Sequence, residues 1–292
     1  DLDPVSLSFS GSDTAASPNA INEGTVRVIN SSQIIFQNAE NTGLIDVVDG
    51  YLGTDRNWVN NGTIRIGANG IAALGGDFTA ADLVGIENTQ GGKVFIRGNV
   101  SNAGQTLQLN AQTGPIDLGV DSSYNDGTIT GGTIAATDGL RLNVGRGYLF
   151  GVTLDTDVSI DPSSTLQIRD GVIAISAKKI ILNGGSILDF EATGSTQIAS
   201  GVTIISNGKS SVKERLTNTG ELVLDADSSV YTGTNGFRIG RTSSNIVNHG
   251  LISARTAGAT IEFTTAGLTN TGTIEARDGG TLIVPGALVN TG

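Results

Sequence analysis

The sequence of 292 residues contains no cysteine, no methionine, a single histidine and only 4% aromatic residues. The absence of cysteine excludes a disulfide framework, a thiolate metal site and a cysteine nucleophile. The one histidine, His249, lies at the centre of a repeated turn phrase whose other copies carry unrelated residues, so we interpret it as solvent-facing. Without a second histidine a transition-metal site is not expected, and the solvent-facing turn position of His249 argues against Ser-His-Asp catalysis. We therefore assign no catalytic residue and expect a protein that is not an enzyme.

Charged residues are also scarce, at 15% of the chain, and they are strongly unbalanced. The net charge is −11 and the calculated pI is about 4.4. A chain this acidic, with no compensating basic patch, repels phosphate backbones, so nucleic acid is not an expected partner. No run of 18 or so apolar residues could cross a bilayer as a helix, and we expect no membrane insertion.

Glycine is abundant, with 42 residues, and the large apolar residues are mostly Ile, Leu and Val. β-Branched residues favour strands, whereas Gly and Asn favour tight turns, so this composition predicts many short strands. One phrase, Asn-x-Gly followed by alternating apolar residues, recurs along the chain. Among its copies are those that begin at Asn22, Asn41, Asn60, Asn102, Asn125, Asn218, Asn248, Asn270 and Asn290. Examples of a second phrase, Gly-Gly-x-apolar, begin at Gly91, Gly131, Gly184 and Gly279.

The first three copies begin 19 residues apart, which is a period typical of repeat architectures. A coil of about 20 residues consists of short strands and corners, and it buries its apolar side only when copies stack. The pattern therefore predicts an all-β fold of the parallel β-helix (β-solenoid) type. Alternation should point Val26, Val28, Ile64 and Ile66 inward, and stacked Asn side chains should form hydrogen-bonded ladders. We expect Gly and Asn at the corners because the backbone turns there with positive φ. A β-sandwich or barrel is the alternative, but such folds do not repeat one corner phrase so often.

The repeat divides the chain into two parts. Residues 1–20 lack the phrase and are interpreted as an N-terminal cap or pairing strand, whereas residues 21–292 are interpreted as β-solenoid. The sequence stops at the corner phrase of residues 290–292, without the strand that should follow it. We therefore expect the solenoid to be incomplete at the C-terminus, with its end continued or covered by a partner.

Several of these phrases resemble a known group of proteins. LTNTGTI (268–274), GGTLIV (279–284) and the run from GVTL (151–154) to LQI (166–168) are similar to exported bacterial repeat proteins of the filamentous-haemagglutinin and autotransporter-passenger type. The resemblance implies export, a right-handed parallel β-helix, and an adhesive or scaffolding role at the bacterial cell surface. It implies no catalytic residue.

These observations favour an extracellular structural or adhesive surface protein, such as a self-assembling fibre, sheath or surface-layer subunit. Expected partners are further copies, bound through solenoid ends or edges, and cell-surface polysaccharide. Two alternatives stay open: a carbohydrate-active β-helix enzyme (polysaccharide lyase or hydrolase) and a calcium-stabilised module.

Both alternatives depend on carboxylates, because paired carboxylates can bind Ca²⁺ or act as an acid and a base. No cofactor other than calcium is considered. The calcium candidates are two pairs that share a strand face if the strands are regular: Asp155 with Asp157, and Asp225 with Asp227. Asp161, Asp46 and Asp49 are further carboxylates for an enzyme site. The simpler interpretation is that exposed aspartates at corners keep the protein soluble.

Overall fold

The computed structural model describes residues 6–10, 20–120, 126–169, 178–191, 196–198, 202–207, 210–214, 221–224, 229–232, 237–240, 245–284 and 286–292. In these ranges the chain is a parallel β-solenoid with turns of about 22 residues, slightly longer than expected, which confirms the predicted fold class. Its right-handedness stays a prediction. No helix in the described part of the chain is long and apolar enough to cross a membrane. The solenoid forms two compact units, residues 1–142 and 143–292.

The first unit contains short strands and one 3-10 helix. They are β1 (Ser6–Ser10), β2 (Ala20–Asn22), β3 (Thr25–Val28), β4 (Gln33–Asn41), β5 (Leu44–Val47), β6 (Tyr51–Asn60), β7 (Thr63–Ile66), β8 (Ile71–Leu74), β9 (Asp77–Thr79), η1 (Ala80–Leu83), β10 (Ile86–Glu87), β11 (Lys93–Ile96), β12 (Asn99–Ser101), β13 (Thr106–Leu109), β14 (Asp117–Leu118), β15 (Gly127–Thr130) and β16 (Thr133–Ala136).

The second unit is built from strands alone in its described residues. They are β17 (Leu142–Phe150), which begins at the last residue of the first unit, β18 (Thr153–Asp155), β19 (Val158–Arg169), β20 (Lys179–Asn183), β21 (Ile187–Glu191), β22 (Thr196–Ile198), β23 (Thr203–Asn207), β24 (Ser210–Glu214), β25 (Glu221–Leu224), β26 (Ser229–Thr232), β27 (Phe237–Ile239), β28 (Asn245–Asn248), β29 (Leu251–Ala254), β30 (Thr260–Phe263), β31 (Gly267–Asn270), β32 (Thr273–Ala276), β33 (Thr281–Ile283) and β34 (Ala287–Asn290).

In the first unit, strands one turn apart pair in parallel. One sheet has the order β10-β7-β5-β3. The longer strands β4 and β6 bend: the first half of β4 pairs with β1 and its second half with β2. The bends lie at Asn38 (φ 45°) and Arg56 (φ 58°), where the left-handed backbone redirects the strand. These bends divide the stack into two faces that meet at a corner.

The core of the first unit follows the alternation read from the sequence. Ile64 and Ile66 are buried, whereas Arg65 between them is exposed. Val28 is buried too, but Val26 is only half-buried. Each fully buried aliphatic side chain contributes about 1.5–3 kcal/mol, so a column of them stabilises every added turn.

The second unit repeats this construction. Its parallel sheet β22-β25-β28-β31-β34 aligns equivalent positions on successive turns, for example Ile246 with Leu268 and Leu268 with Leu288. Ile246 and Leu268 are almost completely buried, whereas Leu288 on β34 is 50% exposed. β34 therefore continues the apolar column of Ile246 and Leu268.

Candidate functional site

The asparagines of the repeated phrase form a buried ladder in the first unit. Asn22 donates from Nδ2 to Oδ1 of Asn41 at 2.7 Å, and Asn41 donates in the same way to Asn60 at 2.7 Å. Asn41 is 1% exposed and also donates to the carbonyl of Thr63. Since Asn41 accepts from the amide of one turn and donates to the amide of the next, the ladder connects adjacent turns inside the protein. This confirms the ladder predicted from the sequence.

The ladder is interrupted one turn later. The register places Ala80 opposite both Asn60 and Asn102, so the expected rung has no amide. Asp82 substitutes on one side: its Oδ1 accepts the backbone N–H of Asn60 at 2.9 Å. On the other side, the buried Oδ1 of Asn102 has no hydrogen-bond partner. Asn102 therefore marks the place where the ladder loses its continuity.

A second ladder runs through the second unit. Asn248 donates from Nδ2 to Oδ1 of Asn270 at 2.7 Å, and Asn270 donates to Asn290 at 2.7 Å. His249, which follows Asn248, is exposed, as the sequence predicted, and its Nδ1 contacts Oγ1 of Thr271 one turn away. The single imidazole therefore lies in a corner contact.

The glycines of the Asn-x-Gly phrase correct one expectation. Positive φ was predicted for them, and Gly104 has it, but Gly43, Gly62 and Gly272 do not. A Cβ on Gly43 would lie 2.1 Å from the carbonyl oxygen of Gly24 in the preceding turn. Glycine is thus needed in the stacked copies because neighbouring turns approach too closely for a side chain.

One of the two predicted carboxylate pairs, Asp155 with Asp157, makes contacts between turns of the second unit. Asp155 and Asp157 both lie on the outer side of the chain with the buried Thr156 between them, but β18 ends at Asp155, so the two do not belong to one strand. Oδ1 of Asp155 lies 3.1 Å from Nζ of Lys178, and Oδ1 of Asp157 accepts the backbone N–H of Lys179 at 2.9 Å. Both carboxylates therefore already have partners on the next turn.

The other predicted carboxylates are distributed rather than gathered. Oδ2 of Asp46 contacts Nε of Arg27 at 3.1 Å, and Oδ1 of Asp49 accepts the N–H of Asn30 at 2.6 Å. Asp161 is exposed in β19, whereas Asp225 and Asp227 lie outside the described residues. In the part of the chain that the structure describes, no three His, Cys, Asp or Glu side chains form a group that could hold a metal ion.

A polar groove in the first unit was not predicted. It lies at the corner where β4 and β6 bend and has a volume of about 500 Å³. Its lining combines polar side chains, glycines and one apolar residue: Ile35, Gln37, Gly53, Thr54, Asp55, Gly75, Gly76 and Arg97. In the sequence, the Gly75-Gly76 pair could be interpreted only as a turn and gave no indication of a groove.

Together, the stacked strands, the asparagine ladders and the ion pairs between turns define a parallel β-solenoid. Comparisons with protein-family models, curated proteins and solved structures found no significant match. The similarity of residues 268–274 and 279–284 to exported adhesins thus rests on those phrases, and no relative supports it.

Proposed function

We propose that this chain is a structural or adhesive module of a bacterial cell surface. The observation that carries the proposal is the use of its polar side chains. Asparagine ladders and carboxylates join adjacent turns in both units, as in the pairs Asn41–Asn60, Arg27–Asp46 and Arg238–Glu262. Polar groups committed to holding a scaffold together suit a load-bearing or display role better than a catalytic one.

Association between copies belongs to the same proposal. In a chain of these 292 residues β34 is exposed along its length, and Leu288, which continues the core column of Leu268, is 50% accessible. Exposed edges of parallel sheets readily pair with further strands, and exposed apolar side chains strengthen such contacts. Copies associated through such edges would form a fibre or a layer.

The alternative of a polysaccharide lyase or hydrolase is a weaker hypothesis. It requires a cleft lined by carboxylates and arginines on one face, but Asp155 and Asp157 both contact residues on the next turn. The other pair, Asp225 and Asp227, lies outside the described residues. An Asp157→Ala variant that loses activity on an acidic polysaccharide while keeping its fold would favour the enzyme.

Electron microscopy of native material tests the proposal directly. Antibodies against the purified protein should label intact source cells, and the label should follow a fibre, sheath or layer. Label that appears only after the cells are permeabilised would contradict a surface role.

Light scattering tests the association of copies. The purified 292-residue chain should form assemblies that Leu288→Lys disperses, because this position is aligned with the buried core column of Leu268. Val289→Lys is the matched control, since Val289 is aligned with the exposed Thr269. Equal dispersal by both variants would argue against association through the end of the core.

A further inference from the structure

The groove at the corner of the first unit is organised by four residues on successive turns. Gln37 is aligned with Asp55. The alignments of Thr54 with Leu74 and of Leu74 with Ile96 place the following residues, Gly75 and Arg97, in the same column. Along the stacking direction the column therefore presents an amide, a carboxylate, a glycine without a side chain and a guanidinium group. The groove is the space that the missing side chain leaves.

The floor of the groove is held rigidly. The carbonyl of Gly75 accepts hydrogen bonds from Trp58 Nε1 at 2.9 Å and from Thr54 Oγ1 at 3.2 Å, and its N–H donates to Thr54 Oγ1 at 3.0 Å. Gly76 has φ 74°, and a Cβ there would lie 1.8 Å from the carbonyl oxygen of Arg56. Side chains are thus excluded from the floor, and little ordering would be needed when a ligand binds.

The polar groups that line the groove are suited to hydroxyl groups. The Gln37 amide offers a donor and an acceptor and makes no hydrogen bond within the described residues. Asp55 is exposed and uses Oδ1 for the N–H of Arg56 at 2.8 Å, while Arg97 supplies donors across the gap. The side chain of Ile35, which covers the buried Gly53, adds an apolar strip beside this column. Closely spaced donors and acceptors next to an apolar strip match a sugar ring, which has hydroxyls at its edge and C–H groups on its face.

Other ligand classes fit less well. A peptide strand could not extend the sheet here, because the first half of β6 pairs with β4 on one side and with β8 on the other. A nucleic acid is disfavoured by the net charge of −11. A cation would meet one carboxylate opposite a guanidinium, which is a poor set of ligands.

We propose that this groove binds a glycan chain that runs along the stacked turns. Turns are spaced by about 4.8 Å, so a glycan lying along the column would meet Gln37 and Asp55 on adjacent turns and, beyond Gly75, Arg97 about 9.6 Å from Asp55. The inference rests on the adhesive part of the proposed function and names the class of ligand that such adhesion would use.

Binding of purified protein to defined oligosaccharides tests this inference. Isothermal titration calorimetry with cellohexaose, mannohexaose, hexagalacturonate and a chondroitin hexasaccharide should give a dissociation constant of millimolar or lower for at least one probe. Gln37→Ala and Asp55→Asn should each weaken that binding by about tenfold, which corresponds to the loss of one good hydrogen bond. Asn at position 55 keeps an acceptor for the Arg56 N–H, so the bend should be preserved.

Filling the groove provides a second, steric test. A Cβ on Gly53 would meet Ile35 Cδ1 at 2.8 Å and Tyr51 Cε1 at 3.1 Å, which are the ends of side chains that can move, so Gly53→Leu should fold and abolish binding. The controls are Gly24→Leu, where a Cβ meets nothing within 4 Å, and Gln90→Ala at an exposed turn. Both controls should bind as the unaltered protein does.

Two outcomes would overturn the inference: no binding of any of the four probes at millimolar concentration, or equal binding by the groove variants and the controls. Circular dichroism must show that each variant is folded. Because the assay uses purified protein, its failure leaves the surface labelling of source cells unaffected. A purely intracellular label would in turn remove the surface role and leave the binding result intact.

Discussion

Replacing Asn41 with alanine should destabilise the first unit. Asn41 is buried and makes hydrogen bonds to Asn22, Asn60 and the Thr63 carbonyl at 2.7, 2.7 and 3.3 Å. The alanine variant leaves Oδ1 of Asn60 buried without its donor, which costs about 1–3 kcal/mol, and a small cavity adds to this. We expect a loss of about 2–4 kcal/mol in the free energy of unfolding.

The matched control is Asn102→Ala. Asn102 is equally buried and donates to the carbonyls of Gly131 and Thr133, but its Oδ1 already lacks a partner because Ala80 interrupts the ladder. Removing an unsatisfied acceptor offsets part of the loss, so this change should cost less than about 1.5 kcal/mol. Urea unfolding followed by far-ultraviolet circular dichroism gives both values. Equal losses in the two variants would refute the ladder as the source of the difference.

An isosteric change separates hydrogen bonding from volume. Asn41→Asp keeps the shape and the acceptor for Asn22, but an ionised carboxylate cannot donate to Asn60. Burial beside the amide oxygen of Asn60 should raise the pKa of this new carboxyl above its unfolded value of about 3.9. The cost is therefore fully present above the folded pKa and disappears as the pH falls below the unfolded one. A deficit relative to the unaltered protein that does not change with pH would contradict this account.

Three further predictions concern contacts between turns and the candidate calcium ligands. Gly43→Ala should lower the free energy of unfolding by about 1–3 kcal/mol, because its Cβ would lie 2.1 Å from the Gly24 carbonyl oxygen. In the same urea unfolding assay Gly24→Ala should be neutral or slightly stabilising, since a Cβ there meets nothing within 4 Å. Asp157→Ala should cost about 1 kcal/mol, since it removes the acceptor of the Lys179 N–H, and a variant as stable as the parent would show that this contact contributes nothing. A chelator should leave the thermal midpoint unchanged, because Asp155 and Asp157 already contact Lys178 and Lys179; a fall of several degrees would restore the calcium-stabilised alternative, with Asp225 and Asp227 as its remaining candidate pair.

The sequence allowed the fold to be predicted because short-range signals specify it. The spacing of Asn22, Asn41 and Asn60 is one turn of the solenoid, so the same phrase marks the corner and the ladder. The alternation of apolar and polar residues within one short strand likewise predicted that Ile64 and Ile66 lie in the core. The role of Gly43 was misjudged, because its constraint comes from the turn below and not from its own backbone angles.

The groove could not be predicted in this way. Gln37, Asp55, Gly75 and Arg97 are aligned in space, but the turns between them differ in length, so no fixed period connects them in the sequence. The partners of Asp155 and Asp157 were missed for a related reason, because Lys178 and Lys179 lie a full turn further along the chain. Alternation indicated the face of these carboxylates but not what they meet there.

The equal spacing of the first asparagines also bears on how such a protein can change in length. Asn22 is followed by Asn41 and Asn60 at intervals of 19 residues, and each meets its neighbour through the same side-chain bond. A deletion of residues 41–59 would bring Asn60 to the place of Asn41, with Gly62 replacing Gly43 against the same carbonyl oxygen. Unequal recombination between similar phrases in the gene can therefore remove or duplicate a whole turn while leaving the cross-section intact. The number of turns in such a chain can therefore change by one turn at a time.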